Sequence, residues 1–239
     1  MKTVAIIQAR HTSSRLPGKM LLPLAGVPVI QHIIQRVRSV PEINQICVTI
    51  PDGNDQAPLA SYIEAQDDIH LSRGPEENLL RRFAIAATET NADHVVRLWG
   101  DCPAIDPVVI QHLLSAWDSA NTDWAYVSDD SGYPLGNECQ AFDAQVLLTA
   151  DREVTSIRDQ EYVHTYLEDH ADRFTCSKVY RDGAPSKPLN RPQILLDTAD
   201  DYENLCQIFE ALYPASSVFG VASVEKLAHA KPELFRTVS

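Results

Sequence analysis

The chain has 239 residues, 44% hydrophobic and 22% charged, with a formal net charge of −13, a length that fills one large core and an acidity that argues against a broad nucleic-acid surface. No apolar run approaches ~20 residues, so no membrane span is expected, and Met1-Lys2-Thr3 leads straight into a strand-like run rather than a signal peptide. The five cysteines (Cys47, Cys102, Cys139, Cys176, Cys206) are odd in number and widely spread with no C-x-x-C pair, a pattern that suggests neither a disulfide framework nor a structural zinc site and fits a reduced cytoplasm.

The apolar run Val4–Ala9 predicts a buried first strand. Val29–Arg38 carries Val29, Ile30, Ile33, Ile34 and Val37 at helical spacing. Ile46–Ile50 predicts a second strand, with a helical stretch around Leu59–Ala65, and Ile69–Ser72 a short third. Pro75 suits the first position of a helix running through Leu79, Leu80, Phe83 and Ala87. His94–Trp99 predicts a fourth strand, and Asp106-Pro107 an N-cap and first-turn proline for a helix over Val108–Trp117. Trp124–Ser128 predicts a fifth strand. This succession of β-then-α units predicts an α/β fold, a mostly parallel sheet with helices on both faces. Ligands of such sheets bind beyond the C-terminal strand ends.

The rhythm breaks after residue 128. Residues 129–140 are turn-rich, 157–170 read as a helix, Phe174–Tyr180 as a strand and 181–193 as a loop. Ile194–Leu196 then predicts a strand and Asp200–Leu212 a helix. The whole chain, 1–239, reads as one domain with 129–190 as an inserted or dimer-forming region.

Three polar stretches follow predicted strands. The first is "IIQARHTSSRLPGK", residues 6–19, which supplies Arg10, Ser13, Ser14, Arg15, Gly18 and Lys19. Residues 1–41 hold six Lys or Arg and no acid, as if positive charge were reserved for a small anion such as a nucleotide. The loop is not a P-loop, and no G-x-G-x-x-G is present. Arg can fork phosphate oxygens and Lys adds a point charge. The second stretch, "RLWGDCPAIDP" at 97–107, places Asp101 just past a strand, with Cys102 as a small buried residue. In the third, "LLDTADDYENL" at 195–205, Thr198 and Asp201 make a capping box, which leaves Asp197 without a structural role. Two carboxylates facing a cationic loop suit Mg²⁺ held between protein and polyphosphate. His164, between Tyr162 and Tyr166, reads as core or interface packing.

These stretches, with "RGPEENLLRR" and "YPLGN", resemble in order and spacing the spore-coat polysaccharide cytidylyltransferase-like family, relatives of the acylneuraminate and 3-deoxy-manno-octulosonate cytidylyltransferases. The resemblance runs from residue 4 to about 212. It implies a Rossmann-like nucleotide-diphospho-sugar transferase fold, similar to glycosyltransferase A and often a homodimer. The implied reaction joins CTP and an acidic sugar to give CMP-sugar and pyrophosphate, with Mg²⁺ and without nucleic acid or membrane. By the same resemblance, Arg10, Ser14, Arg15 and Lys19 would bind the triphosphate, with Arg15, Lys19 and Asp101 catalytic. Asp101 and Asp197 would hold the metal, Ala9 and Arg10 would approach the nucleotide through the backbone, and Arg73 would lie near the nucleotide or sugar pocket. The chain departs from the family pattern at Asn78, Trp99, Gln140 and the run Gln160–His164, the last two on the implied acceptor side. Without the resemblance, guanylyl or uridylyl transfer to a sugar phosphate, or nucleotide binding without catalysis, fits the same residues.

Overall fold

A computed structural model of the protein describes residues 1–183, 191–235 and 237–238. Seven strands form the central sheet: β1 (Thr3–Gln8), β2 (Gln45–Pro51), β3 (Ile69–Gly74), β4 (His94–Trp99), β5 (Trp124–Val127), β6 (Cys139–Asp143) and β7 (Cys176–Lys178). Their order across the sheet is β3-β2-β1-β4-β6-β5-β7, and β6 runs against the other six. The helices are α1 (Val29–Arg38), α2 (Ala57–Glu64), α3 (Leu79–Glu89), α4 (Pro107–Ala120), α5 (Ala144–Glu153), α6 (Ile157–Glu161), α7 (Thr165–Asp169), α8 (Ala199–Leu212) and α9 (Val221–Ala230).

The first strand shows why both faces are covered. Its side chains alternate across the sheet, and every apolar one is buried. Ala5 and Ile7 enter one core, with the apolar faces of α1, α2, α4, α8 and α9. Val4 and Ile6 enter the other, with α3, α5 and α7. No helix among the described residues is long and apolar enough to cross a membrane.

The fold class and the first two β-α units match the sequence expectation, and four local readings need correction. The third helix begins at Leu79 rather than at Pro75, because the Asn78 side chain caps it by accepting from the Arg81 amide at 2.8 Å. Residues 157–170 form two short helices rather than one, because Val163 turns inward and is fully buried between them. Ile194–Leu196 is not a strand. It is extended chain tied by Ile194 N–H to the Leu135 carbonyl (2.9 Å) and by Leu196 N–H to the Asp101 carbonyl (2.8 Å). The predicted strand at Phe174–Tyr180 shrinks to β7.

β6, α5 and α9 were not anticipated from the sequence. Within 129–190, β6 occupies the middle of the sheet between β4 and β5. The middle of the predicted loop, 184–190, lies outside the described residues. Asp106 caps α4 as expected, accepting from Val108 N–H at 2.9 Å, and the Thr198–Asp201 capping box opens α8.

Candidate active site

β1 and β4 are parallel neighbours, with Gln8 opposite Trp99, so both release their following loops at the same edge. The chain leaves β1 toward β2 on one side while β4 lies on the other, which makes this the switch point of the sheet. Gly100 N–H bonds the Gln8 carbonyl at 2.8 Å and pins the two loops together. A Cβ at Gly100 would stand 2.7 Å from that carbonyl oxygen and 2.9 Å from Met20 Sδ, so no larger residue fits unchanged.

The backbone bond from Leu196 to Asp101 draws in the segment that carries Asp197. Lys19, buried in a short helical turn, organises the centre. Its Nζ donates to the Leu196 carbonyl at 2.9 Å and lies 3.5 Å from Asp101 Oδ2 and 3.7 Å from Asp197 Oδ1. Gly18, at φ 70°, supplies the left-handed turn that sets Lys19 inward. Arg15 Nη1 reaches the other Asp197 oxygen at 2.5 Å, and Arg10 lies 3.6 Å from Glu76. The acid-free loop therefore meets its acids from three other places in the chain.

Ala9, Arg10, Arg15, Lys19, Asp101 and Asp197 all line one cleft of about 980 Å³. Ala9 cannot donate its amide to a ligand, because that N–H bonds the Thr49 carbonyl at 3.0 Å. Ser14 is exposed and stands outside the cleft lining; the buried Ser13 lines it instead, its hydroxyl accepting from Leu16 N–H at 3.3 Å. Arg73 also stands outside, on edge strand β3, 3.8 Å from Glu64.

Sequence reasoning did not assign Arg82 or Arg97 to the site, and placed Tyr162 and His164 on the acceptor side only through the resemblance; all four line the cleft. Arg97 is buried on β4 and held by neutral groups, donating from Nε to Gln8 Oε1 (2.9 Å) and from Nη1 to Gln140 Oε1 (3.0 Å). Its guanidinium lies 4.4 Å from the Trp99 ring centroid, a cation–π contact. Burial, and then the charge of Arg82, pull its pKa down, while Asp101 acts the other way. His164 is not simply a packing residue. Burial lowers its pKa to about 4, with Arg97 and Arg158 adding to the effect, so the ring facing the cleft is neutral near pH 7. Cys102 is buried, and burial together with Asp101 pushes its thiol far above the usual range, which leaves it no nucleophilic role.

Asp101 and Asp197 fit a hard divalent cation in donor chemistry, since both are carboxylates and both converge on Lys19. Among the described residues no cluster of three or more His, Cys, Asp or Glu could hold a metal alone. Any ion here therefore needs ligand oxygens from a substrate or from water, as Mg²⁺ commonly does.

Residues 4–226 match the cytidylyltransferase family. The chain belongs to that family. This member is 28% identical over 219 residues to the spore coat polysaccharide biosynthesis protein SpsF of Bacillus subtilis (strain 168), covering 86% of this chain and 85% of the relative. It is 29% identical over 143 residues to the 3-deoxy-manno-octulosonate cytidylyltransferase of Escherichia coli, covering 60% of this chain and 53% of that enzyme. The match thus spans about half the length of that second relative.

Among solved structures, a cytidylyltransferase from Leptospira borgpetersenii superposes with a TM-score of 0.88 at 22% identity, covering 100% of this chain and 99% of the other. The CMP:2-keto-3-deoxy-manno-octonic acid synthetase complexed with CTP gives a TM-score of 0.65 at 21% identity, covering 88% and 99%. At these identities the structures establish the nucleotidyltransferase fold. The family match makes this protein a nucleotidyltransferase of the cytidylyltransferase type.

Proposed function

We propose that the protein transfers CMP from CTP to an acidic sugar with Mg²⁺, releasing pyrophosphate, in the synthesis of a surface polysaccharide or glycan. The observation that carries this reading is the position of Lys19, against both Asp101 and Asp197, with Arg15 on the same carboxylate. The acidic sugar as acceptor is supported by the names of the relatives, which include 3-deoxy-manno-octulosonate and 8-amino-3,8-dideoxy-manno-octulosonate cytidylyltransferases.

The acceptor hydroxyl attacks the α-phosphorus and gives up its proton to solvent, the bond from that phosphorus to the β-bridging oxygen breaks, and pyrophosphate leaves with the electron pair. Arg15 and Lys19 hold the β- and γ-phosphates and stabilise the charge that grows on them. A divalent ion held by Asp101 and Asp197 would neutralise the α-phosphate and orient the chain of phosphates. Before the nucleotide enters, Asp197 occupies two of the loop's three cations, Arg15 and Lys19, and keeps them in place. Tyr162 and His164, on the link between α6 and α7, line the cleft on what the resemblance implies is the acceptor side. The resemblance also implies a homodimer, and sedimentation equilibrium is expected to show one species of two chains.

The test is pyrophosphate release from CTP with Mg²⁺ and 3-deoxy-manno-octulosonate or a related sugar acid. Turnover that disappears in Asp101→Asn and Asp197→Asn, with both variants folded, supports the reading. Normal turnover in both variants would remove the metal assignment, and preference for another nucleotide would remove CTP.

A further inference from the structure

The cleft holds a second cationic centre that the triphosphate does not need. Arg82 projects from α3 into the cleft with 6% relative exposure. Its Nε and Nη1 have no hydrogen-bond partner, and no carboxylate among the described residues lies within ion-pair distance of it. A buried guanidinium with unpaired donors is costly, and sites of this kind are made whole by a ligand. Arg97 stands nearby, and the charge of one acts on the other. The partners of Arg97 are the side-chain oxygens of Gln8 and Gln140, so hydrogen bonds satisfy it while no carboxylate among the described residues pairs with it directly.

The other cations of the cleft are differently engaged. Arg15 and Lys19 are held by Asp197 and Asp101, and Arg10 by Glu76. Those residues lie on the β1 loop, where a triphosphate spends its negative charge. The nucleoside half of CTP carries none. Two buried cations in the same cleft, neither in a direct ion pair among the described residues, therefore call for a second anion. On the same wall stand Trp99, Tyr162 and a neutral His164, which can contact a sugar through rings and hydrogen bonds. Glu77 and Glu161 also line the cleft and face whatever binds there.

Resting on the proposed reading of the reaction, we propose that Arg82 and Arg97 form the anion end of the acceptor subsite and take the acceptor's carboxylate. Arg82 supplies free donors, and Arg97, fixed by two glutamines and the Trp99 ring, supplies the second positive charge. The carboxylates of Glu77 and Glu161, exposed on the rim of the same cleft, favour a singly charged group over a phosphate dianion.

The experiment is calorimetric titration of the wild type, Arg82→Met and Arg82→Lys. The probes are CTP with Mg²⁺ and, separately, millimolar 3-deoxy-manno-octulosonate, pyruvate and mannose 1-phosphate, with CTP present and divalent metal chelated. Arg82→Met is expected to weaken the sugar acid about ten- to a hundredfold while CTP affinity stays within about twofold. Arg82→Lys is expected to recover most of the loss. The Met variant removes a buried unpaired cation, so its thermal midpoint is expected to hold or rise. Unchanged sugar-acid affinity in Arg82→Met overturns the proposal, as does a parallel loss of CTP, which would hand Arg82 to the nucleotide. A wild type that binds CTP but no carboxylate overturns it too, and selective loss of the phosphate probe overturns the carboxylate assignment. If the wild type binds the acids through Arg82 but no CTP, the anion site stands and the nucleotide reading falls.

Discussion

Arg15 Nη1 and Asp197 Oδ2 lie 2.5 Å apart, while Lys19 Nζ stands 3.7 Å from the second oxygen of the same carboxylate. One acid thus occupies two cations of the β1 loop. On the proposed reading, a triphosphate draws Arg15 and Lys19 away from Asp197 and in doing so releases that carboxylate to a metal.

This exchange gives Asp197→Asn an unusual pair of expected effects. Metal-free CTP binding tightens by about two- to fivefold, because the exposed ion pair that competes with the nucleotide is worth only about 0.2–1 kcal/mol. Metal-dependent turnover falls by two orders of magnitude or more. Calorimetry in a chelator, followed by pyrophosphate release with Mg²⁺, checks both. Weaker metal-free binding in the variant would mean that Asp197 does not compete for the cations.

Lys19→Met removes the donor to the Leu196 carbonyl and leaves Asp101 without its nearest cation. Urea unfolding is expected to show a loss of about 1–3 kcal/mol, the cost of leaving buried polar groups unpaired. CTP binding weakens in the same variant. A stable protein with normal CTP affinity would contradict the role given to Lys19.

Gly100→Ala tests the junction itself. The added methyl meets the Gln8 carbonyl oxygen and Met20 Sδ, so the β1 and β4 ends must separate. A destabilisation of about 1–3 kcal/mol is expected from such overpacking, with a lower kcat as Asp101 moves. Thermal unfolding and steady-state kinetics read the two effects separately.

His164 should make stability depend on pH. Its folded pKa of about 4 lies below the ordinary value of 6.5, so the unfolded chain binds the proton first as pH falls. The neutral, half-buried ring contributes its stability in full above pH 6.5, and that stability is lost progressively between 6.5 and 4. His164→Gln is expected to flatten the thermal midpoint against pH across that window relative to the wild type. Identical profiles would show that His164 does not titrate as its surroundings dictate.

The convergence of the loop cations with Asp101, the side of the site proposed for the triphosphate, was legible because the pattern is local. Arg15 and Lys19 sit in one loop after an apolar strand, and Asp101 follows another, so parallel neighbours bring them together. Asp197 was found for a partly wrong reason. Its segment is extended chain hung on Asp101 and Leu135, not a strand, and only long-range backbone bonds fix its place. Ser14 was chosen over Ser13 because sequence does not show which of two adjacent hydroxyls turns inward.

Arg82 was harder to see, although a signal existed. It lies three residues after Leu79 and one before Phe83, on the apolar stripe of α3, while Arg81 points outward to Asp151 at 2.6 Å. β6 was missed because Gln140 reads as a loop residue next to a turn-rich stretch. In the sheet it sits opposite Arg97, and its amide oxygen is what holds that guanidinium.

The central claim is that the loop between β1 and α1 is a cradle for CTP. Calorimetric titration of the protein with CTP, GTP, UTP and ATP, each with Mg²⁺, tests it without knowledge of the acceptor. Selective CTP binding that weakens at least tenfold in Arg15→Ala is the expected result. Equal binding of all four nucleotides, or CTP affinity untouched by loss of Arg15, would contradict it.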